Sequence, residues 1–445
     1  MRKRHRPFPK PPDAVEIESL TPEGRGLARV DGRSVLLYGA LPGERVRFRY
    51  TRLRKDRAEG TVVEVLRAMP ERVQPRCPHA DICGGCCLQH LDPKAQIRWK
   101  QEMLARILAA TGRVQPERWL SPLAAEPWGY RRKARLGVRY VAKKGHTLVG
   151  FRERGTSYVA ELRRCEILHP AVGERIEAIA ELLDSLSIRQ RIPQLELAIG
   201  TDPCVLVLRV LEPLSARDVA RLTDFGRICG LHFYVQEGGA ETIRPLPGQG
   251  VELYYDLPGA AVRLYFRPTD FIQVNLGLNG LLVKQALEFL DPRSDERVLD
   301  LFCGLGNFTL PIARRAAEVL GVEGEPGFAA RARSNAEHNG ITNARFVVAD
   351  LYGTLDHQPW VSQRFHKTLL DPPRSGALQV VELLPALGVE RILYVSCYPA
   401  TLARDADRLV NGLGYRLRAV GVLDMFPHTA HLESMAIFER ESRRA

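Results

Sequence analysis

The sequence predicts a multi-domain chain with a small N-terminal β domain, a central α+β domain and a C-terminal Rossmann-like, doubly wound α/β domain. Three observations predict it. The 445 residues exceed one ordinary hydrophobic core, so two or three domains are expected. Residues 13–69 are short strand-like stretches separated by turn signals at Pro22-Glu23-Gly24, Asp31-Gly32 and Pro42-Gly43. After Asp270 the pattern becomes alternating strand and helix, which is how a parallel sheet with helical crossovers reads.

The first domain carries a strictly alternating segment, Arg45-Val46-Arg47-Phe48-Arg49-Tyr50. As a strand it puts three arginines on one face and three apolar residues on the other. Arg52, Arg54, Lys55 and Arg57 follow at once. A basic, one-sided small barrel suits the phosphate backbone of RNA, so Arg45, Arg47 and Arg49 are candidate contacts. The plainer reading of the same face is a solvated sheet.

Residues 70–90, rich in Pro, Gly and Cys, read as a loop. Trp99, Met103, Ile107 and Leu108 then recur at helical spacing and predict a helix over 97–110 with a core-facing stripe. From about 130 to 270 the chain is strand-rich, with turns at Lys144-Gly145 and Glu237-Gly238-Gly239, and reads as α+β. The α/β domain is predicted as strand 297–302, helix 308–317, strand 319–322, helix 328–339 and strand 345–348, then strands at 367–370 and 391–395.

Composition narrows the function. Hydrophobic content of 45% and charged content of 26% are those of a globular protein in water. No apolar run is long enough to span a bilayer. No membrane partner is expected, although charge alone does not separate RNA from DNA or from an anionic membrane. The basic start Met1-Arg2-Lys3-Arg4-His5-Arg6 lacks the apolar stretch of a secretory signal and reads as a solvated arm able to touch RNA. A cytoplasmic location follows from these readings. The net charge of +12 favours a polyanionic partner. Nine cysteines, odd in number and clustered, point to a reducing compartment in which metal or catalytic roles outrank disulfides.

Cys77, Cys83 and Cys86 lie within ten residues, around Gly84-Gly85. Three thiolates this close can hold one metal or cluster, with glycine amides turned toward sulfur. Cys165 is the candidate fourth ligand; Cys87 is its rival, though adjacent to Cys86. Zinc suits four cysteines as well. The spacing differs from Cys-x3-Cys-x2-Cys, in which three ligands leave one iron open, so a closed, structural site is expected.

Asp300-Leu301-Phe302-Cys303-Gly304-Leu305-Gly306-Asn307 follows an apolar strand and precedes a helix. Its glycines permit a tight turn and close backbone approach to a ligand. Glu323 ends the next strand, where an acid commonly accepts ribose hydroxyls, and Asp350 ends the third. The full dinucleotide glycine spacing is missing, which favours S-adenosylmethionine. Asp371-Pro372-Pro373-Arg374 ends the fourth strand as a stiff wall of the same cleft.

Tyr394-Val395-Ser396-Cys397 closes an apolar run, and His431-Leu432-Glu433-Ser434 lies downstream. Carbon 5 of uracil is a poor nucleophile. A thiolate adding to carbon 6 pushes electron density onto carbon 5, which can then take a methyl group; a base removes the carbon 5 proton and the thiol leaves. Cys397 and Glu433 suit the nucleophile and base. The alternatives are a buried structural thiol and a surface carboxylate. Cys303 reads as packing.

The sequence 300–311, Asp371-Pro372-Pro373-Arg374, Val395-Ser396-Cys397, Thr401-Leu402-Ala403-Arg404-Asp405, Asp424-Met425-Phe426-Pro427-His428-Thr429 and His431-Leu432-Glu433-Ser434 together resemble the RNA uracil-5-methyltransferase family. The N-terminal segment resembles the TRAM module, an OB-like RNA-binding barrel. With the cysteine cluster it points to the branch that methylates 23S rRNA, free or in early assembly intermediates. The resemblance implies a TRAM barrel over 1–69, an Fe–S-containing central domain over 70–96 and 133–270, and a methyltransferase domain over 97–132 and 271–445. It implies a [4Fe-4S] cluster on Cys77, Cys83, Cys86 and Cys165, and S-adenosylmethionine contacts from Gln273, Phe302, Asn307, Glu323, Asp350 and Asp371. It implies Cys397 as nucleophile, Glu433 as base, and RNA contacts from Arg131, Arg132 and Lys133. One departure stands out: Tyr398-Pro399 follows the cysteine where the family usually has Asn-Pro. A buried uracil must be flipped out to reach such a cleft. A monomer without an obligate protein partner is expected. Competing readings are a tRNA uracil-5-methyltransferase, a TRAM-containing Fe–S radical enzyme, a cytosine-5 methyltransferase and a non-catalytic RNA-binding protein.

Overall fold

A computed structural model describes residues 10–440; the basic arm at 1–6 lies outside the described residues. The chain divides into two compact units, one of Met1–Lys100, Arg152–Tyr158 and Phe426–His431, the other of Gln101–Phe151, Val159–Met425 and Leu432–Ala445.

The first unit opens with strands β1 (Val15–Glu16), β2 (Ser19–Leu20), β3 (Gly26–Val30), β4 (Arg33–Tyr38), β5 (Arg45–Leu53) and β6 (Arg57–Arg67) in the order β1-β5-β6-β4-β3-β2. The two ends of this sheet, β1 and β2, are one short run of chain. Glu18 N–H bonds Leu27 O at 2.8 Å and Ile17 N–H bonds Glu44 O at 2.9 Å, so the run joins both edges and closes a barrel. The alternation read in 45–50 holds: Val46 and Phe48 enter an interior with Val35, Leu37 and Ala58, while Arg45, Arg47 and Arg49 are exposed. Each such aliphatic burial contributes about 1.5–3 kcal/mol. Truncating Leu37 to Ala would cost about 2–5 kcal/mol.

Glu44, fully buried, anchors the following loop: Arg72 reaches it through Nε at 2.6 Å and Nη2 at 2.7 Å. Helix α1 (Pro93–Ile107) starts where Asp92 Oδ1 accepts Lys94 N–H and Ala95 N–H, with proline at its first position. The expected apolar stripe is there, with Trp99, Met103 and Leu108 buried.

The expected [4Fe-4S] cluster on Cys77, Cys83, Cys86 and Cys165 is corrected. Among the described residues no group of three or more His, Cys, Asp or Glu side chains is placed to hold a metal ion. The loop is organised by other bonds. Cys83 Sγ accepts Gly85 N–H at 3.3 Å, Cys83 N–H bonds His79 O, and Arg154 donates to the carbonyls of Cys83 and Cys86. Burial pushes the Cys83 thiol up. Closeness along the chain does not by itself make sulfurs converge.

The second unit contributes β7 (Arg118–Trp119), then a six-stranded sheet of β8 (Lys133–Val141), β9 (His146–Gly150), β10 (Gln194–Ile199), β11 (Cys204–Arg209), β12 (Leu231–Gln236) and β13 (Arg244–Pro245) in the order β13-β12-β11-β10-β8-β9. Helices α2 (Pro170–Gly173), α3 (Ile176–Asp184) and α4 (Ala216–Cys229) belong to this α+β part. Ser215 and Asp218 form a capping box that starts α4. Strands β14 (Leu253–Leu257) and β15 (Val262–Phe266) make a hairpin.

The α/β part follows with α5 (Leu276–Leu290), β16 (Arg297–Leu301), α6 (Thr309–Ala313), β17 (Glu318–Glu323), α7 (Pro326–His338), β18 (Ala344–Val348), β19 (Lys367–Leu370), α8 (Leu378–Val381), β20 (Arg391–Ser396), α9 (Pro399–Asp407), β21 (Arg416–Leu423) and β22 (Glu433–Glu439). The sheet order is β18-β17-β16-β19-β20-β22-β21-β7. The strands from β18 to β20 are parallel, and β22 runs antiparallel between β20 and β21. The order reverses between β16 and β19, which opens a crevice at the carboxyl ends of the strands. The helix expected over 308–317 stops at Ala313, and the Asn343 amide satisfies the carbonyls of Ala313 and Ala316 left open at and beyond its end. Among the described residues no helix is long and apolar enough to cross a membrane.

Candidate active site

At the end of β16 the chain turns sharply. Phe302 (φ 65°), Gly304 (φ 54°) and Gly306 (φ 90°) occupy the left-handed region. Glycine does so freely; a phenylalanine there is uncommon and strained. The turn is held because Phe302 N–H and Cys303 N–H both reach Val322 O, at 2.9 and 3.2 Å. Gly304 N–H donates to Glu323 Oε2 at 2.9 Å, and Glu325 N–H donates to Oε1 at 3.0 Å. Glu323 therefore fixes the loop and still has lone pairs to offer outward. Among the described residues, a Cβ at Gly304 would meet nothing within 4 Å, so the turn borders open space.

Asn307 is held from two sides. Its Oδ1 accepts Tyr255 Oη–H at 3.0 Å and Asn279 Nδ2–H at 2.8 Å, and its own amide donates to Asn279 Oδ1 at 3.0 Å. Its side chain is thus engaged within the fold, and Asn279 and Tyr255 are site-shaping residues that sequence reading missed. Nothing in a helix reading of 276–290 singles out Asn279, whose only signal is a polar side chain on a buried face.

Acidic groups gather along this edge. Asp300 is fully buried; Thr309 Oγ1–H donates to its Oδ2, and among the described residues its Oδ1 has no hydrogen-bond partner. Burial, with the charges of Asp371 and Glu323 adding to it, pushes the Asp300 carboxyl up to about 7. Desolvation does the same to Asp371, also to about 7. Asp350 is exposed just past β18 and accepts Tyr352 N–H. The Phe302 and Tyr352 rings lie 5.7 Å apart, and Tyr352 Oη bonds Gly376 O and Ser375 Oγ, joining the turn after β16 to the loop after β19. That loop is clamped by buried Asp405, which accepts Ala377 N–H and Tyr394 Oη–H, each at 2.7 Å. Gln273 is half-buried beside Val274, whose carbonyl accepts Arg132 N–H.

Cys397 and Glu433 come together through strand register. The last pair of antiparallel β20 and β22 is Ser396 with Ser434. One step further sets Cys397 opposite Glu433, and opposed residues project from the same face of a sheet. Cys397 is half-buried and Glu433 is buried. Burial first, then the carboxylates of Glu433 and Asp371, push the Cys397 thiol up to about 11, opposed by Arg374. Tyr398, 45% exposed, starts α9; its N–H donates to Ser396 Oγ at 3.2 Å. Cys303 is buried, and its thiol is raised well above its ordinary value by burial.

The basic residues separate by environment. Arg47 is tied to Glu64 at 2.6 Å, whereas Arg45 and Arg49 flank it exposed on β5. In the same unit a groove is lined by Arg25, Tyr38, Arg49, Arg52, Arg57 and Arg154 and also by the acids Glu23, Glu59, Asp81 and Glu153; the Arg25 guanidinium lies 4.4 Å over the Tyr38 ring and 3.5 Å from the Glu59 carboxylate. In the other unit, Arg131, Arg132 and Lys133 are worked into the fold: Arg131 bonds Lys133 O, Arg132 bonds Gly200 O, and Lys133 bonds the carbonyls of Pro268 and Asp270. Burial lowers the Lys133 ammonium to about 8.

A parallel sheet with a glycine turn at its switch point and acids at successive strand ends defines a Rossmann-like methyltransferase fold, here preceded by a β-barrel. Residues 256–441 match the tRNA (uracil-5-)-methyltransferase family model, and residues 14–63 match the TRAM domain. The chain is 53% identical to the 23S rRNA (uracil(1939)-C(5))-methyltransferase RlmD of Alkalilimnicola ehrlichii, over all of both chains. It is 51% identical to that of Methylococcus capsulatus, over 99% of each. Among solved structures it resembles the Pyrococcus abyssi tRNA (uracil-54, C5)-methyltransferase in complex with S-adenosyl-L-homocysteine. That match has a TM-score of 0.72 and 25% identity, and it covers 96% of this chain and 99% of the other. The chain belongs to the RlmD family of 23S rRNA uracil-5-methyltransferases.

Proposed function

We propose that the protein transfers a methyl group from S-adenosylmethionine to carbon 5 of a uridine in 23S rRNA, with Cys397 as nucleophile and Glu433 as base. The observation that carries the reading is the β20–β22 register, which brings a thiol and a carboxylate to one face at the carboxyl ends of the strands. Full-length identity of about half to relatives of that named activity supports the substrate class.

The donor set fits the cofactor. Glu323 keeps outward lone pairs for hydroxyl donors, Gly304 leaves open space at the turn, and Asp350 stands exposed at the next strand end. Gln273, Phe302, Asn307, Glu323, Asp350 and Asp371 would hold S-adenosylmethionine, which supplies an electrophilic methyl group on a sulfonium. Asn307 acts by shaping the turn, since its amide is already engaged.

Cys397 adds through Sγ to carbon 6 of the flipped uracil. Carbon 5 becomes nucleophilic and would take the methyl group as the methyl carbon–sulfur bond of the sulfonium breaks and a neutral thioether leaves. Glu433 then accepts the carbon 5 proton, the carbon 6–sulfur bond breaks, and Cys397 is restored. Arg374 favours the thiolate that starts this sequence. The exposed arginines of β5 and the Arg25–Arg57 groove hold rRNA by its phosphates. The barrel is read as the RNA-holding part, and the sheet of β16 to β22 as the reacting part.

The test is to incubate the protein with S-adenosylmethionine and unmodified 23S rRNA or tRNA, then measure 5-methyluridine by nucleoside mass spectrometry. Product in 23S rRNA alone is expected. Product in tRNA alone would reassign the substrate, and product in neither would overturn the reading.

A further inference from the structure

Two buried polar side chains on α1, Gln96 and Lys100, hold the loop that runs into Glu433. Their spacing of four residues sets them on one face of the helix. Gln96 is 1% exposed and Lys100 0%. Gln96 Oε1 accepts His428 N–H at 2.8 Å. Gln96 Nε2–H donates to Leu91 O at 2.7 Å and Leu88 O at 3.0 Å, and Nε2 lies 3.2 Å from His428 Nδ1. Lys100 Nζ–H donates to Phe426 O at 3.1 Å.

The held loop has no regular secondary structure, and its polar groups are fixed one by one. His428 O accepts the N–H groups of both Cys87 and Leu88, each at 3.0 Å. Ala430 N–H points to Cys87 Sγ at 3.2 Å. His428 itself sits at φ 65°, a strained conformation that persists only where surroundings impose it. Thr429 Oγ1 closes the turn, donating to Phe426 O at 2.9 Å and accepting His431 N–H at 3.2 Å. Leu432 and Glu433 follow directly.

Burying a glutamine and a lysine is unfavourable unless each bond is made, and an apolar pair would fill the same helix face at lower cost. What an apolar pair could not do is fix the Phe426 carbonyl and the His428 amide. Proton abstraction tolerates little misplacement of the base; about 1 Å can cost a factor of about 100. We infer that Gln96 and Lys100 are positioning residues that set the presentation of the Glu433 carboxylate to the carbon 5 proton, and so govern the elimination half of the reaction. The inference rests on the reading of Cys397 as nucleophile and Glu433 as base.

In that half the carbon 5–hydrogen bond breaks, the proton passes to the Glu433 carboxylate, its electron pair forms the carbon 5–carbon 6 double bond, and the carbon 6–sulfur bond breaks to release the Cys397 thiolate. Loosening the loop slows these steps and leaves addition of the thiol and methyl transfer in place.

The test compares full-length wild type, Gln96→Met, Lys100→Met and Glu433→Gln on unmodified 23S rRNA carrying tritium at carbon 5 of uridine. Three quantities are measured: affinity for S-adenosylmethionine, the denaturation-stable protein–RNA adduct, and release of tritium. In Gln96→Met, Lys100→Met or both, affinity stays within about twofold, adduct forms and accumulates, and tritium release falls at least tenfold. The inference is overturned if adduct and tritium release fall together, if neither changes, or if both variants lose S-adenosylmethionine binding, which would make the clamp a folding element. Glu433→Gln separates the two levels of the reading. If it fails to accumulate adduct, the base assignment is wrong; if it accumulates adduct and neither clamp variant does, only the positioning role fails.

Discussion

Cys397 stands one residue beyond the last pair of β20 and β22, and the register of that pair, Ser396 with Ser434, sets it opposite Glu433. Thirty-five residues of chain separate the thiol from the carboxylate, yet one antiparallel pairing makes them neighbours on a sheet face. A slip of one residue would send Glu433 to the other face and separate the pair. The antiparallel insertion of β22 between β20 and β21 is therefore the topological feature on which the proposed chemistry depends.

Replacing Cys397 with Ala removes the proposed nucleophile and leaves the turn after β16 intact. Methyl transfer should fall by at least a thousandfold while S-adenosylmethionine binding stays within about twofold, measured by filter assay and calorimetry. Retained turnover would show that Cys397 is a structural thiol.

The Cys397 thiol should titrate high in the absence of RNA. Burial and the carboxylates of Glu433 and Asp371 raise it to about 11, so the thiolate fraction grows about tenfold per pH unit between pH 7 and 9. Alkylation of Cys397 by iodoacetamide, followed by peptide mass spectrometry, should accelerate accordingly. Glu433→Gln removes one of the raising charges and should move the profile to lower pH. An inflection below pH 8 in the wild type would contradict this electrostatic account.

Asp300 and Asp371 should make the fold less stable as pH rises. Both carboxyls are raised to about 7 from an ordinary value near 4, so the folded state holds more protons than the unfolded chain between those limits. Stability from this source is present below about pH 4 and is lost as pH climbs through 7. Asp300→Asn keeps the Thr309 contact and removes one of the two groups, so its melting temperature should fall less than that of the wild type between pH 5 and 8. Parallel profiles by calorimetry would refute the prediction.

Asn279 should matter for the cofactor without touching it. Asn279→Leu removes two of the three side-chain bonds that hold Asn307 and leaves its half-buried Nδ2 without the Asn279 acceptor, at a cost of about 1 kcal/mol. The turn after β16 loosens, and the Kd for S-adenosylmethionine should rise about tenfold, by isothermal calorimetry. An unchanged Kd would mean that Tyr255 alone suffices to hold Asn307.

Much of this was readable from the chain. The alternation Arg45-Val46-Arg47-Phe48 fixes one strand of the barrel because the side-chain period of a strand is two, and burial follows it residue by residue. The strand-end acids Glu323 and Asp371 were readable because central parallel strands bury continuous apolar runs and end abruptly in polar residues; Asp350 follows an edge strand whose run is only partly buried. Other features were not. The cysteine loop shows why: Cys77, Cys83 and Cys86 are close in sequence, but whether sulfurs meet at one point depends on the path of the backbone. Here that path is set by bonds such as Gly84 N–H to Arg152 O. The run Arg131-Arg132-Lys133 reads as an RNA contact, yet Arg132 and Lys133 also donate to carbonyls of distant loops, which no local pattern reveals. Charge is visible in a sequence; its partner is not.

The alternation of strand and helix after Asp270, the one-sided basic strand at 45–50 and the likeness to the family are all legible along the chain. Local propensity and apolar period act over a few residues, so they are written along the chain. Folding adds the pairing that sets Cys397 opposite Glu433, the bonds from Asn279 to Asn307, and the hold of Gln96 and Lys100 on the loop ahead of Glu433. Those relations depend on strand register and on long-range hydrogen bonds, some between residues more than three hundred positions apart, and no local pattern encodes such a meeting.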